Sequence, residues 1–218
     1  DRLSYAVTPR FAVTSSPEQL QIAGTLKKEF PNLFVQTHLS ENKKELEVVA
    51  ELYPTAKNYL DIYDSFGLVG QKSVFAHGVH LRQEELSRLS ESCSSVSFCP
   101  TSNLFLGSGL FNLTAAKQKG IQVGIGSDIG GGTSLSILQN LNECYKIQQL
   151  QGQTLSGLQA FYLATLGGAK SLLLDDKIGN FTPGKEADFI VLDLESSPLL
   201  KFRNERVKNL SERLFMLM

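Results

Sequence analysis

Residues 33–41 have the sequence LFVQTHLSE, an apolar, β-rich run that ends in His38, Ser40 and Glu41. Four further runs of this kind occur at residues 5–13, 73–77, 94–99 and 121–127, and helical patterns separate them. Alternating β and α segments require a parallel sheet, because each strand must be followed by a helical crossover. The sequence therefore predicts an α/β fold, either an open doubly wound sheet or a (β/α)8 barrel.

Polar side chains lie at the carboxyl ends of these predicted strands. His38, His77 and Asp128 end three of them, and Asn103 follows Cys99 closely. In a TIM barrel such ends converge on one face, where the catalytic loops lie. This favours a (β/α)8 TIM-type barrel. Since five strands cannot close an eight-stranded barrel, we expect the chain to hold only the later strands, about 4 to 8, with about three more upstream.

Local signals predict where helices begin and end. Ser16, Pro17 and Gln19 form the signature of an N-cap, an N1 proline and a capping box. Ser40 is predicted to cap the next helix and Gly67 to end a later one. Further helices are expected near residues 81–89, 112–118 and 135–150.

The composition of the chain changes after Gly179, where a turn-rich segment precedes residues 187–194, ADFIVLDL, a predicted strand. We therefore divide the chain into residues 1–175, the C-terminal part of the barrel, and residues 176–218, the start of a small β module with a terminal helix. Because the first strand follows Asp1 almost directly, we expect a segment upstream of it.

Charge and cysteine usage restrict the partners of the chain. The 21 basic and 22 acidic residues give a formal net charge of -1, which predicts a small-molecule partner and no nucleic acid or membrane. Cys93, Cys99 and Cys144 lack the spacing of a disulfide framework, so a reducing cytoplasm is expected. No apolar run approaches the roughly 20 residues that span a bilayer.

His38, His77 and Asp128 are candidates for metal chemistry, because imidazoles and carboxylates are the usual ligands of zinc. No HExxH motif is present, and any one of these histidines could instead be a hydrogen-bonded core residue. Their joint occurrence at three strand ends favours a metal site. Glu41 could relay a proton from a metal-bound water to a leaving amine, or it could be an acid favoured at a helix N-terminus.

Arg10 and Phe11 follow the first predicted strand, where the guanidinium could donate to a heterocycle and the ring could stack on it. His80 lies beyond the strand that ends at His77, so a structural or surface role is expected. The glycine-rich stretch 127–134 lacks the lysine of a phosphate-binding loop.

Seven strings occur in an order that resembles the amidohydrolase superfamily, and within it most of all the guanine deaminases. They are TPRF (8–11), QTHLSEN (36–42), AHG (76–78), CPTSN (99–103), GSDIGGG (126–132), ATLGGA (164–169) and IGNFTPGKEAD (178–188). The resemblance covers residues 8 to 194. TPRF and QTHLSEN are its most specific strings for the guanine deaminases.

The resemblance implies roles for the candidate residues. His38 would be the zinc ligand from the fifth barrel strand and Asp128 the ligand from the eighth, and Asp128 would also accept a proton from the attacking water. His77 would polarise the substrate beside the metal, and Glu41 would be the proton shuttle. Arg10 and Phe11 would bind the purine.

One Zn²⁺ is implied for each active site. The superfamily takes two further ligands from an HxH pair on the first strand, and these 218 residues contain no HxH. We therefore expect that pair in the missing upstream segment and expect this chain alone to be inactive.

The function implied is zinc-dependent hydrolytic deamination of guanine to xanthine and ammonia, and a homodimer is compatible with it. One alternative is another deaminase or chlorohydrolase of the superfamily that acts on a different nitrogen heterocycle. An alternative of another class is a non-catalytic binding or scaffold protein that retains the barrel motifs.

Overall fold

A parallel sheet forms the centre of the computed structural model, which describes residues 2–218. Its five strands pair in sequence order, β1 with β2 and so on to β5. They are β1 (Ala6–Val7), β2 (Phe34–Leu39), β3 (Ser73–His77), β4 (Ser95–Phe98) and β5 (Gln122–Ile125). The predicted α/β fold with a parallel sheet is therefore confirmed.

Helices connect successive strands and continue beyond the last one. They are α1 (Pro17–Glu29), α2 (Lys43–Leu52), α3 (Tyr59–Ser65), α4 (Gln83–Glu91), α5 (Pro100–Phe105), α6 (Leu113–Gln118), α7 (Ile137–Leu150), α8 (Gly157–Ala164), α9 (Leu166–Ser171), α10 (Pro198–Asn204) and α11 (Leu210–Met216). Among the described residues, no helix combines the length and the apolar character that crossing a membrane requires.

Side-chain caps set where the early helices start. Ser16 accepts a hydrogen bond from the Gln19 amide, 3.2 Å away, and Pro17 occupies the first turn of α1, as predicted. The cap predicted for α2 was wrong: Asn42, not Ser40, accepts from the Glu45 amide at 3.0 Å. The side chain of Glu45 completes the capping box by accepting from the backbone of Asn42.

The apolar core lies between the sheet and the helices that cover it. Burial alternates along β2, where Val35 and Leu39 are fully buried, as expected for a strand whose side chains point to opposite faces in turn. Phe75 of β3 and Phe98 of β4 join the same buried cluster, which includes Leu20 of α1. Burial of these side chains therefore fixes which face of each strand meets the helices.

The strand register places the polar strand ends at one edge of the sheet. His38 pairs with Ala76, and Leu39 pairs with His77, so the two histidines lie at nearly the same level on neighbouring strands. Phe98 pairs with Ile125 at the ends of β4 and β5. Because all strands run in parallel, the loops that follow them meet at this edge.

The first strand is shorter than the run at residues 5–13 predicts. Only Ala6 and Val7 pair with β2. Pro9 lacks an amide hydrogen and cannot donate to a sheet, and the amides of Thr14 and Ser15 both donate to the Phe11 carbonyl in a turn. Residues 8–15 therefore form a loop beyond the strand.

The strand predicted at residues 187–194 is not formed. Phe189, Ile190 and Val191 are 62%, 73% and 85% exposed, and no segment of the described chain pairs with them. A strand needs a hydrogen-bonding partner, which β-propensity alone does not supply. The expected start of a β module thus contains no sheet here, and the division of the chain at residue 175 stays a prediction.

Alkaline pH should destabilise the protein through the buried Cys144 thiol of α7. Burial raises its pKa to about 12, whereas the ordinary value is 9.0. Between these values the unfolded chain has lost the thiol proton and the folded chain retains it, so stability falls as pH rises from about 9 to about 12. In this pH range each such thiol lowers the free energy of unfolding by about 1.4 kcal/mol for every pH unit.

We expect urea denaturation of the protein expressed from its complete coding sequence to show this fall in the free energy of unfolding with pH. In Cys144→Ala the slope of the free energy of unfolding against pH should be shallower. The matched control is Cys93→Ala at an exposed thiol, which should keep the slope of the parent. An unchanged slope in Cys144→Ala would contradict the assignment.

Candidate metal centre

Three side chains that could ligate a metal converge at the carboxyl edge of the sheet. One ligand atom of each of His38, His77 and Asp128 lies within 4.8 Å of those of the other two. His38 ends β2, His77 ends β3, and Asp128 follows β5. The two imidazole rings stack with centroids 5.2 Å apart. The sequence-based grouping of these three residues therefore corresponds to a real cluster in the fold.

The His38 ring is oriented by a backbone carbonyl. Its Nδ1 lies 2.6 Å from the carbonyl oxygen of Arg10, which can only accept, so Nδ1 carries the proton and donates it. The same carbonyl accepts from the His38 amide and the Thr37 hydroxyl, each at 3.2 Å. The lone pair of His38 then resides on Nε2. Metal-binding histidines are commonly held in this way through their other ring nitrogen.

His77 is fully buried and has one partnered and one unpartnered ring nitrogen. Nδ1 lies 2.9 Å from Oδ1 of Asn103, whereas Nε2 has no hydrogen-bond partner in the described part of the chain. The atoms that face Nε2 are Oε2 of Glu41 at 3.8 Å and Oδ2 of Asp128 at 3.9 Å. Because a buried polar atom without a partner is costly, this nitrogen indicates a site for an external partner.

A tight glycine-rich turn surrounds Asp128. A Cβ atom at Gly131 would lie 2.9 Å from Oδ2 of Asp128, and one at Gly132 would lie 1.9 Å from the Ser127 carbonyl oxygen. Side chains at these positions would force the turn open. This close packing accounts for the glycines without any role in phosphate binding.

Glu41 faces the cluster and is held at two places, its backbone amide and Oε1. Its amide donates to Oε2 of Glu45 at 2.7 Å, its Oε1 accepts from the Ser108 hydroxyl at 3.0 Å, and its Oε2 points toward His77. Only 13% of the Glu41 side chain is exposed. The carboxylate is thus presented to the metal candidates with one oxygen held by hydrogen bonding and the other available.

Arg10 and Phe11 lie in the loop next to the cluster. The Phe11 ring is 5.7 Å from the His38 ring, centroid to centroid, at a tilt of 49°. The guanidinium carbon of Arg10 is 5.5 Å from the centre of the Phe11 ring. The structure therefore brings both predicted substrate-binding residues beside the predicted metal ligand.

His80 lies outside the cluster, as the sequence predicts. Its Nε2 is 2.8 Å from the Ser108 carbonyl oxygen, so this nitrogen donates a hydrogen bond to the loop after α5. The role of His80 visible in the structure is to hold that loop.

Three further residues support the site, namely Tyr63, Asn103 and Ser108, and of these only Asn103 stood among the polar residues predicted at the strand ends. Asn103 belongs to the string CPTSN, but the sequence did not indicate which residue it would contact. No motif in the sequence pointed to Tyr63 or Ser108. Each contacts the site across a sequence separation of 25 residues or more.

Tyr63 connects the Arg10 loop with β2 through a fully buried hydroxyl. It donates to the His38 carbonyl at 2.8 Å and accepts from the amide of Ala12 at 3.0 Å, and its oxygen lies 3.2 Å from the Thr37 hydroxyl. Burial raises the pKa of Tyr63 to about 12, so the phenol retains the proton that it donates well into the alkaline range. Tyr63 therefore fixes the position of the Arg10 loop relative to the carboxyl end of β2.

The amidohydrolase family model matches residues 1–213. The chain belongs to the amidohydrolase family. Guanine deaminase of Escherichia coli is 58% identical over 217 residues, which is 100% of this chain and 49% of that protein. Guanine deaminase of Mus musculus is 38% identical over 219 residues, covering 97% of this chain and 48% of that protein. The chain thus spans about half the length of these curated amidohydrolases.

Solved amidohydrolase structures share the fold. Escherichia coli guanine deaminase superposes with a TM-score of 0.97, over 100% of this chain and 51% of that one. A guanine deaminase from C. acetobutylicum with bound guanine gives a TM-score of 0.84 at 32% identity, over 94% of this chain and 49% of that one. The prediction of later strands of a TIM-type barrel is confirmed by these likenesses.

Removing the Tyr63 hydroxyl should destabilise this amidohydrolase chain. Tyr63→Phe leaves the buried Ala12 amide and the His38 carbonyl with fewer partners, so we expect the free energy of unfolding to fall by about 1–3 kcal/mol. Urea denaturation measures it. The control is Tyr162→Phe, at a residue 40% exposed, with an expected change within about 0.5 kcal/mol. Equal stabilities of the two variants would contradict the role of Tyr63.

Proposed function

We propose that the protein catalyses zinc-dependent hydrolytic deamination of guanine to xanthine and ammonia. The observation that carries this proposal is the buried, unpartnered Nε2 of His77, which faces the carboxylates of Glu41 and Asp128 beside His38. Membership of the amidohydrolase family and the likeness to guanine deaminases support the reaction and the substrate. Because the chain spans half of those relatives, the activity is proposed for the whole protein.

The described residues fit a zinc ion. His38 would bind through Nε2, because its Nδ1 is engaged by the Arg10 carbonyl, and Asp128 would bind through a carboxylate oxygen. One Zn²⁺ is proposed for each active site, with two further ligands from an HxH pair that these 218 residues lack. His77 is proposed to stand beside the ion.

Proton transfer is proposed to pass through two carboxylates of this chain. Zinc, when bound, supplies Lewis acidity that makes water an effective nucleophile at neutral pH. As the water oxygen bonds to the amino-bearing carbon of guanine, one water proton would pass to Asp128 and the other to Oε2 of Glu41. Asp128 would return its proton to the ring nitrogen whose double bond to that carbon opens, and Glu41 would pass its proton to the amine, which leaves as ammonia when the carbon–nitrogen bond breaks.

Purine binding is proposed for the loop beside β2. The planar guanidinium of Arg10 can donate two parallel hydrogen bonds to the carbonyl and ring nitrogen of guanine, and Phe11 can stack on the ring. His77 can donate from Nδ1 to Oδ1 of Asn103 and directs Nε2 toward the reacting face. We also propose a cytoplasmic location, which the three free cysteines support.

Zinc binding should depend on His38 and Asp128 and not on His80. We expect the protein from its complete coding sequence to hold one equivalent of zinc after dialysis, measured by plasma mass spectrometry. His38→Asn and Asp128→Asn should lose most of it, since each removes one of few ligands. His80→Asn is the control that retains the metal. Full zinc content in His38→Asn would rule out this ligand.

Glu41→Gln should abolish guanine turnover while zinc stays bound. Loss of a group that transfers protons in the transition state reduces kcat by roughly 100-fold or more. Release of ammonia from guanine measures the rate. Glu47→Gln, at an exposed glutamate of α2, is the matched control and should keep the parent rate. A Glu41→Gln rate within about twofold of the parent would reject the shuttle role.

A heterocycle panel run on the parent protein tests the substrate. Turnover of guanine above other purines, pyrimidines and triazines is expected. If another ring loses its amine and guanine does not, the guanine assignment fails. If nothing is turned over although zinc is bound, a non-catalytic binding protein is the better description.

A further inference from the structure

Ser108 contacts Glu41 although it belongs to none of the motifs that suggested a function. Its hydroxyl donates to Oε1 of Glu41 at 3.0 Å, across 67 residues of sequence. The residue is 4% exposed and lies in the loop between α5 and α6. A buried hydroxyl whose acceptor is a carboxylate makes a charge-assisted hydrogen bond, which is stronger than a neutral one.

The loop fixes the position of Ser108 from both sides. The Ser108 amide donates to the Asn103 carbonyl at 2.9 Å, and the Ser108 carbonyl accepts from Nε2 of His80 at 2.8 Å. Gly107 and Gly109 flank it with φ of +67° and +132°, conformations that side-chain-bearing residues rarely adopt. The hydroxyl is therefore presented by a backbone that is held independently of Glu41.

Glu41 depends on an outside contact for its side-chain direction. The backbone at Glu41 is held by the hydrogen bond from its amide to Oε2 of Glu45, in the first turn of α2. The carboxylate lies beyond three rotatable bonds, and a glutamate side chain samples many rotamers unless packing or hydrogen bonds select one. With Oε1 bound to Ser108, Oε2 faces Nε2 of His77 at 3.8 Å.

We propose that Ser108 is a positioning residue that holds Oε1 of Glu41 and thereby keeps Oε2 directed at the reacting atoms. This inference rests on the proposed deamination, in which Glu41 transfers the proton. The hydrogen bonds of Ser108 in the described part of the chain go to Glu41, Asn103 and His80, none of which is a proposed metal ligand or purine-binding residue. Its loss should consequently slow the proton-transfer step and leave zinc and guanine binding intact.

The test compares three variants of the protein expressed from its complete coding sequence. Ser108→Ala removes the donor, and Ser108→Cys keeps a side chain of similar size with only a weak donor. Ser171→Ala is the matched control, because Ser171 is also 4% exposed and its hydroxyl donates to the Gly167 carbonyl on α9. The measurements are kcat and KM for guanine, zinc content, and the Glu41 conformation in crystals of each variant.

We expect kcat to fall about 10- to 100-fold in Ser108→Ala and Ser108→Cys, as for a misplaced catalytic group, with KM and zinc content unchanged. Crystals of Ser108→Ala should show the Glu41 carboxylate turned away from His77, and Ser171→Ala should match the parent.

A kcat within about twofold of the parent in Ser108→Ala, or full activity in Ser108→Cys, would overturn the inference. Loss of zinc, or an increased KM with an unchanged kcat, would also overturn it. If the parent does not deaminate guanine, the proposed function fails. The Glu41 conformation in the Ser108→Ala crystal then decides the positioning role: an unchanged carboxylate rejects it and a displaced one supports it.

Discussion

The hydrogen bond from Nδ1 of His38 to the Arg10 carbonyl is the interaction on which the geometry of the site depends. It sets the tautomer of His38, so that Nε2 faces the other candidate ligands. The same carbonyl belongs to the residue whose side chain is proposed to read the purine. Because Tyr63 holds the adjoining Ala12 amide and the His38 carbonyl, movement of the loop that carries Arg10 and Phe11 would also move His38. The proposed metal and substrate sides of the site are thus coupled through the Arg10 carbonyl.

Backbone strain accompanies this geometry. Ser40, His77 and Asp128 have φ of 50°, 71° and 45°, in the left-handed region that residues other than glycine seldom occupy. Such conformations persist only where the surrounding structure enforces them. Here the parallel strands and their buried face enforce these conformations, and with them the side chains of His77 and Asp128 point into the cluster. The strained residues therefore lie where the sheet ends and the loops beyond it begin.

Much of this arrangement follows from local sequence signals, and the remainder does not. Parallel strands were predictable from the βα alternation, and their ends must meet, which grouped His38, His77 and Asp128. Asn103 was also predicted near a strand end, but its hydrogen bond to Nδ1 of His77 was not. Ser108 reaches the cluster only through the tertiary path of the loop after α5, which no local pattern encodes. For residues 187–194 the local pattern predicted a strand that the structure does not form. An apolar, β-rich run becomes a strand only where a partner strand exists.

Three of the four candidate site residues, His38, His77, Glu41 and Asp128, divide their polar atoms in the same way. His38 and His77 each use Nδ1 for a scaffold oxygen, from the Arg10 carbonyl and from Asn103, and keep Nε2 for the cluster. Glu41 uses Oε1 for the scaffold and keeps Oε2. Holding one atom restricts the rotation of the side chain, so the other is aimed before any ligand arrives. A site organised in this way loses less conformational entropy on binding, which is the energetic basis of preorganisation.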